Sequence, residues 1–148
     1  MELDQDFKEF IALLNEHKVE YLIVGGYAVV VYGYHRFTGD LDVWLKPTHE
    51  NAQKLLCVLH DYGFGRLNLN ENDFCQKNNI IQLGYEPLRI DILTSIEGMD
   101  FDKCYKRRTS KKADKIKINF IGLDDLRKNK KLVGRDRDIE DYKHLKKL

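Results

Sequence analysis

Hydrophobic residues recur with two different periods along the chain, and each period predicts one kind of element. A period of three to four residues, typical of amphipathic helices, runs through residues 5–18, 27–34, 48–61, 100–107, 123–132 and 136–147. Short alternating or β-branched runs predict strands over residues 20–24, 40–45, 79–84, 88–94 and 115–122. Because the two kinds of segment interleave, we predict a single α/β (α+β) domain over residues 1–148, with a mixed β-sheet flanked by helices.

Composition and charge narrow the class of protein without indicating its function. Of the 148 residues, 43% are hydrophobic and 33% are charged, which is typical of a globular protein. The net charge of +1 argues neither for nor against a nucleic-acid partner. The scattered Cys57, Cys75 and Cys104 fit neither a disulfide framework nor a metal site. With no signal peptide and no membrane-spanning run in the sequence, we expect a cytoplasmic protein.

A strand that ends in two glycines is the first candidate for a ligand site. The run "YLIVGGYAV" predicts a buried strand, a turn at Gly25 and Gly26, and then a helix. Free N–H groups at a helix start attract anions, phosphate above all, and glycine lets a ligand approach the backbone closely. The same turn is also common as plain packing, so this feature alone leaves both interpretations open.

Two aspartates open the strand "DLDVWL" and point to the same face of the sheet. Asp40 and Asp42 alternate with apolar residues, so their carboxylates lie about 6–7 Å apart and repel each other. The spacer after Gly26 is long enough for one short helix and a return turn, which allows the pair to lie beside the glycines. Mg²⁺ is typically held by one or two carboxylates plus substrate phosphates. The alternative is a strand end exposed to solvent.

A third carboxylate lies in the later strand "LRIDILT". Asp91 alternates with Ile90 and Ile92 there, and a buried aspartate is unfavourable unless it is paired or hydrogen-bonded. An ion pair with a neighbouring arginine would satisfy it. Alternatively, Asp91 completes the ligand set that two metal ions need for in-line phosphoryl chemistry.

These motifs resemble those of the DNA polymerase beta-like nucleotidyltransferase superfamily. Its pattern is a hydrophobic residue, Gly-Gly or Gly-Ser, a spacer, Asp-x-Asp or Asp-x-Glu, and a later acidic residue in a strand; "VGGYAVVVYGYHRFTGDLDVWL" and "LRIDIL" resemble it. The stretch "RFTGDLD" is similar to the minimal nucleotidyltransferases of the abortive-infection toxin type. The ending "LRKNKKLVGRDRDIEDYKHL" also resembles that group, with matches at Lys130, Gly134, Arg135, Asp138 and Asp141.

The resemblance implies an enzyme that moves a nucleoside monophosphate from an NTP to an acceptor hydroxyl and releases pyrophosphate. It implies two bound Mg²⁺ ions, for which Mn²⁺ could substitute. It also implies that Asp138 orients a basic residue. The implied metal ligands are Asp40, Asp42 and Asp91, the last of which also polarises the acceptor. The implied triphosphate contacts are Gly25, Gly26, Arg36, Thr38 and Lys130.

One departure from the family pattern keeps a non-catalytic alternative open. Many members carry serine where this chain has Gly26, and that hydroxyl helps to hold phosphate or metal. Its absence leaves the backbone N–H groups in place. The alternative is a weak or inactive nucleotidyltransferase-fold module that binds a protein partner, in an antitoxin-like role.

A basic segment suggests an acceptor and provides a further alternative. Residues 103–118 contain eight Lys or Arg and one Asp. They form either a solvated face with lysines protecting a strand edge or a surface for RNA. The segment lies between Asp91 and Lys130 in sequence, so we expect it to border the cleft where the attacking hydroxyl arrives. No separate domain remains to enclose a small acceptor. We therefore predict a macromolecular acceptor, with RNA slightly favoured over protein, and keep a purely RNA-binding protein as the alternative.

Overall fold

The computed structural model describes residues 3–148 as a six-stranded mixed sheet with helices packed against it. The strands are β1 (Tyr21–Val24), β2 (Leu41–Leu45), β3 (Ile80–Leu83), β4 (Ile90–Leu93), β5 (Thr109–Ala113) and β6 (Ile116–Phe120). The helices are α1 (Gln5–Glu16), α2 (Gly25–Val31), α3 (His49–Tyr62), α4 (Glu71–Cys75), α5 (Phe101–Lys106), α6 (Leu123–Val133) and α7 (Asp136–Lys146). A short 3₁₀ helix covers Gly65–Leu67.

The sheet has the strand order β3-β4-β2-β1-β6-β5, so the strands that carry the glycine turn and the aspartates are neighbours. β1 pairs antiparallel with β2 and parallel with β6. β4 pairs parallel with β2 and antiparallel with β3. All four residues of β1 are buried, as expected for a central strand without charged side chains.

The core forms where the predicted periodic faces meet the sheet. α1 buries Phe7, Phe10, Ile11 and Leu14, which lie on one helical face at the predicted spacing. The Asp4 side chain accepts a hydrogen bond from the Asp6 N–H at 2.8 Å and caps this helix. α1 and α3 also pack against each other.

α3 begins and ends where the sequence predicts. The Thr48 side chain accepts a hydrogen bond from the Asn51 N–H at 3.2 Å. Gly63 follows the helix with φ 102°, a backbone conformation that favours glycine. The predicted fold class, a mixed sheet with flanking helices, is confirmed.

Besides the short 3₁₀ helix, the sequence patterns missed one strand and one α-helix. β5 has the sequence TSKKA, and its exposed lysines show no apolar alternation; it exists because it pairs with β6 at the edge of the sheet. α4 has only five residues and buries the single side chain of Phe74. Both elements depend on tertiary contacts rather than on a local period.

In the part of the chain that the structure describes, no helix combines the length and the apolar character that crossing a membrane requires.

Candidate functional site

The carboxylates and the glycine turn meet in one cleft of about 350 Å³. It lies where β1 ends and where β2 and β4 begin. All eight residues predicted for metal and triphosphate binding line it, although they are up to 105 positions apart: Gly25, Gly26, Arg36, Thr38, Asp40, Asp42, Asp91 and Lys130. Gly39, Arg89, Arg135 and Arg137 complete the lining.

Strand register brings the second and third carboxylates together. Asp42 of β2 pairs with Asp91 of β4, and on its other side Asp42 pairs with Val24 of β1. Residues paired in this way project to the same face of the sheet. A line across three strands therefore joins the two aspartates to the start of the glycine turn.

The pKa of the Asp42 carboxyl group is far above its ordinary value. Burial, with a further contribution from the negative charges of Asp91 and Asp40, raises the pKa of Asp42 to about 7. Near neutral pH the carboxyl group is therefore divided between its neutral and charged forms. A cation bound beside it would favour the charged form.

Arg89 lies between the first and third carboxylates. Its Nη2 is 2.5 Å from Asp40 Oδ2, and its Nε is 2.9 Å from Asp91 Oδ1. The ion pair with a neighbouring arginine, one of the two interpretations of Asp91, is therefore present. Within residues 3–148, no three His, Cys, Asp or Glu side chains are gathered as ready metal ligands. The guanidinium supplies the positive charge that these carboxylates need.

The carboxylates nevertheless fit a hard cation. Asp40 Oδ1 is buried and accepts no hydrogen bond from the described residues, so one strong acceptor in the cleft is unsatisfied. Oxygen ligands from carboxylates are those that Mg²⁺ prefers. Asp40, Asp42 and Asp91 are the residues that would hold it.

If a metal and Arg89 share these carboxylates, removing Arg89 will strengthen metal binding. We expect Arg89→Gln to lower the melting temperature of the metal-free protein, because three neighbouring carboxylates lose their cation. Mg²⁺ alone, without nucleotide, should then raise the melting temperature by more than it does in the wild type. The measurement is thermal unfolding across a Mg²⁺ titration.

Arg66→Gln, a change of an exposed arginine within the 3₁₀ helix, is the matched control and should behave as the wild type. An equal or smaller Mg²⁺ effect in Arg89→Gln would show that the metal does not share these carboxylates with the guanidinium.

The cleft also contains cations that two aspartates of α7 hold in place. Lys130 Nζ lies 2.9 Å from Asp141 Oδ2 and 3.2 Å from Asp138 Oδ1. Arg36 donates two hydrogen bonds to the Asp141 carboxylate, at 2.8 and 2.9 Å. Both aspartates are buried, so Arg36 and Lys130 have fixed positions beside the glycines. The fixed geometry suits binding of a polyanion, although part of each charge is already neutralised.

Asp138 lies between two cations. Burial alone would raise the pKa of its carboxyl group, but hydrogen bonds and charges from Arg135 and Lys130 bring the pKa below its ordinary value. Arg135 Nε is 2.7 Å from Asp138 Oδ2. The aspartate therefore orients two basic residues at the cleft, in keeping with the role that the sequence resemblance implies.

Both glycines of the turn are packed too closely for a side chain. A Cβ atom on Gly25, which has φ 67°, would lie 2.0 Å from Asp42 Oδ2. A Cβ atom on Gly26 would lie 2.1 Å from Thr38 Oγ1 and 2.8 Å from Thr38 Cβ. The Thr38 hydroxyl thus lies where a serine at position 26 would begin, which gives a structural reason for the departure from the family pattern.

Introducing the family serine should therefore damage this site. We expect Gly26→Ser to destabilise the protein by about 1–3 kcal/mol, the usual effect of overpacking. In a Thr38→Gly background, which removes both colliding atoms, the same change should be nearly neutral. A double-mutant cycle of unfolding free energies measures this coupling. Additive effects of the two changes would contradict the proposed collision.

The sequence patterns missed Arg137, and they indicated Arg89 only as a neighbouring arginine that could pair with Asp91. Arg137 lines the cleft and makes no ion pair with a described residue. A signal was present for both: Arg89 is two positions before Asp91, immediately ahead of β4, and Arg137 lies inside the matched C-terminal motif. Neither residue shows from sequence alone which neighbour it contacts.

The basic segment does not border this cleft. None of residues 103–118 lines it, and β5 lies at the edge of the sheet opposite β3. Lys111 and Lys112 line a separate cavity beside His35 and α2. The expectation that the segment borders the cleft was wrong, because β6 and β1 separate it from the aspartates. Its position agrees with lysines that protect a strand edge.

Comparisons with known proteins agree on the fold. The chain matches TM1012 of Thermotoga maritima, a protein assigned to the nucleotidyltransferases, with 14% identity over 93% of this chain and 88% of that chain and a TM-score of 0.63. It matches the lincosamide antibiotic adenylyltransferase LnuA in a lincomycin-bound structure, with 17% identity over 97% and 96% of the chains and a TM-score of 0.57.

A third solved structure is an antigenic nucleotidyltransferase-like protein of Paracoccidioides brasiliensis, with 15% identity, a TM-score of 0.56 and coverage of 97% of this chain and 77% of that chain. No curated protein matches the sequence significantly. The family described as "nucleotidyltransferase of unknown function (DUF6036)" matches residues 1–146. The chain therefore belongs to this nucleotidyltransferase family.

Proposed function

We propose that the protein is a Mg²⁺-dependent enzyme that moves a nucleoside monophosphate from an NTP to an acceptor hydroxyl and releases pyrophosphate. The observation that carries the proposal is the composition of the cleft. The cleft is lined by three aspartates, by basic residues held in fixed positions and by a glycine turn. Carboxylates so close to a phosphate site make chemical sense when a divalent cation lies between the two.

The glycine turn and the basic residues of the cleft would bind the triphosphate of the NTP. The α2 amides at Gly25 and Gly26, which no side chain caps, would bind phosphate oxygens. Arg36, Lys130 and Arg137 would bind the outer phosphates. Thr38 lies at the mouth of the turn and would position them. Binding at these points fixes the triphosphate so that its leaving group faces the cations.

The aspartates would act at the α-phosphate. Asp40, Asp42 and Asp91 would hold the metal, for which Mn²⁺ could substitute. When bound, Mg²⁺ neutralises developing charge on the phosphate oxygens and lowers the pKa of the attacking hydroxyl. Asp91 would orient that hydroxyl and accept its proton. Because Asp42 has a pKa of about 7, full ionisation of the site requires a pH above neutrality or a bound cation.

The class of acceptor, macromolecule or small molecule, remains open to experiment. Chain length argued for a macromolecule, since no domain remained to enclose a small acceptor. LnuA has comparable length, as the two chains cover 97% and 96% of each other, and it is an antibiotic adenylyltransferase. Length therefore does not exclude a small acceptor. The basic segment, which favoured RNA, lies away from the cleft. Cellular RNA, proteins and small molecules should therefore all be tested as acceptors.

The test is transfer of label from each of the four α-³²P-labelled NTPs, with Mg²⁺, into a complete cell lysate. We expect one nucleotide to give a labelled product that disappears with EDTA. The product should also be absent with Asp40→Ala/Asp42→Ala and present with Asp102→Ala/Asp124→Ala, a control that removes two exposed aspartates outside the cleft.

If no NTP gives Mg²⁺-dependent label, the enzymatic proposal is wrong. The non-catalytic alternative, a nucleotidyltransferase-fold module that binds a protein partner in an antitoxin-like role, would then be favoured. RNA binding that depends on salt but not on Asp40 or Asp42 would favour the RNA-binding alternative.

A further inference from the structure

A second cleft, also of about 350 Å³, begins on the other side of the aspartates. The two clefts share Gly25, Asp42, Asp91, Lys130 and Arg135. Beyond these shared residues the second cleft has a different character. Its own lining includes Ile80, Gln82, Leu93, Ser95, Ile96 and Val133.

The two clefts extend from Asp91 in opposite directions along β4. Arg89, two residues before Asp91, lines the first cleft, and Leu93, two residues after it, lines the second. Asp91 and Leu93 are two residues apart in β4 and share a face of the sheet. Arg89 immediately precedes β4, and its guanidinium lies on the same face because it donates hydrogen bonds to the Asp91 carboxylate. Asp91 therefore stands at the junction between the clefts.

The geometry of phosphoryl transfer places the leaving pyrophosphate and the attacking hydroxyl in different clefts. The attacking and leaving oxygens lie roughly in line on opposite sides of the reacting phosphorus. If pyrophosphate leaves among Arg36, Arg137 and Lys130 in the first cleft, the acceptor hydroxyl approaches from the other side of the aspartates. The second cleft is the cavity that opens in that direction.

The chemistry of the second cleft does not suit a nucleic-acid backbone. Apart from the proposed metal ligands, its charged residues are Glu97, Lys130, Arg135 and Asp138. Each of the two cations is already paired with Asp138. The opposing charges balance, and both cations also line the first cleft, where the triphosphate would bind. Among the described residues, the second cleft therefore has no cation of its own. Phosphate groups would find no new partner here.

The walls offer apolar contact and a neutral amide instead. Ile80 on the edge strand β3 is 62% exposed, and it pairs in register with Leu93. Gln82 pairs in register with Asp91 and lies on the same face. An apolar side chain and an amide therefore lie beside the carboxylate that would accept the proton. These groups can bind and orient a small hydroxyl compound.

We propose, building on the proposed function, that this second cleft binds the acceptor, and that the acceptor is a small, unphosphorylated hydroxyl compound with an apolar part. Its hydroxyl oxygen attacks the α-phosphorus of the NTP and forms a new P–O bond. The bond between the α-phosphorus and the bridging oxygen to the β-phosphate breaks, and pyrophosphate leaves with that electron pair. The hydroxyl proton passes to the Asp91 carboxylate and then to water. Ile80 and Gln82 position the acceptor.

The test separates the cell lysate into total RNA, protein and a filtrate of small molecules. Each fraction is incubated with the α-labelled NTPs and Mg²⁺. We expect a compound in the filtrate to become labelled. Phosphodiesterase should remove the nucleotide from this compound, and with it the added negative charge. Ile80→Asp and Gln82→Ala should each reduce filtrate labelling about tenfold or more. Ile139→Asp, on the surface of α7 and outside both clefts, should label at the wild-type rate.

Two further readouts separate this inference from the function on which it rests. Stabilisation by Mg²⁺ and NTP should persist in Ile80→Asp and Gln82→Ala, since neither residue lines the first cleft. Label on RNA or protein alone, or unchanged labelling in both variants, would overturn the acceptor site and leave nucleotidyl transfer intact. The absence of label and of pyrophosphate release in all fractions would overturn the proposed function itself, and this inference with it.

Discussion

Replacing Asp42 with asparagine is expected to abolish nucleotidyl transfer while making the metal-free protein more stable at pH 8. The change keeps the shape of the side chain and removes its ability to carry a negative charge. A metal contributes several kcal/mol of transition-state stabilisation, so losing a principal ligand should slow transfer by about a thousandfold or more.

The gain in stability follows from the pKa of Asp42. Its folded-state pKa is about 7, against a reference value of 3.8. Between these values the folded state holds a proton that the unfolded state has lost, so stability falls as pH rises from about 4 to 7. Above pH 7 the charged carboxylate destabilises the fold by about 2–4 kcal/mol. Asparagine does not titrate and escapes this destabilisation.

Denaturant unfolding of the wild type and Asp42→Asn at pH 5 and pH 8 in EDTA measures the effect. The difference between the proteins should be larger at pH 8 by about two-thirds of that amount, because part of the effect is already present at pH 5. Subtracting the wild type at each pH removes the contribution of the five histidines. A variant that is inactive but equally or less stable at pH 8 would show that Asp42 is not held as an unfavourable charge in the metal-free protein.

Replacing Lys130 with methionine is expected to have the largest destabilising effect. Lys130 is buried with a side-chain exposure of 6%, and it pairs with Asp138 and Asp141, which are 2% and 1% exposed. Removing one partner of a buried ion pair leaves charge uncompensated and typically costs about 3–5 kcal/mol. Arg135 and Arg36 remain beside the two aspartates, so a value near the lower end is expected.

Lys130→Met should also weaken NTP binding roughly tenfold or more, the effect of losing one charge-assisted phosphate contact. Lys128→Met, an exposed lysine on the same helix, is the control for both measurements. Nucleotide affinity should be measured well below the melting temperature of the variant, so that unfolding does not imitate lost binding. Normal NTP affinity in a destabilised variant would limit Lys130 to a structural role.

Much of the candidate site could be predicted because its chemistry is carried by short motifs. Gly25 and Gly26 end a strand, Asp40 and Asp42 open the next, and Asp91 interrupts an apolar run. Such signals are local, and the strand register then brings them together. Helices with a full apolar stripe, such as α1 and α3, could be predicted for the same reason.

Other features depend on contacts between distant segments and have no local signal. The pairing of Arg36 with Asp141 joins residues 105 positions apart. The role of Thr38 at the glycine turn appears only when a Cβ atom at Gly26 is placed beside it. The position of β5 follows from its pairing with β6, and sequence order alone had placed the basic segment at the cleft.

The most direct measurement of the central claim follows the two ends of the triphosphate separately. The protein is incubated with Mg²⁺, the lysate and the NTP that gives product, labelled at either the α- or the γ-phosphate. We predict that α-label passes to an acceptor while an equal amount of γ-label appears as pyrophosphate, and that both disappear in Asp42→Asn. Transfer of γ-label to the acceptor, or α-label transfer that survives Asp42→Asn, would contradict nucleotidyl transfer at this site.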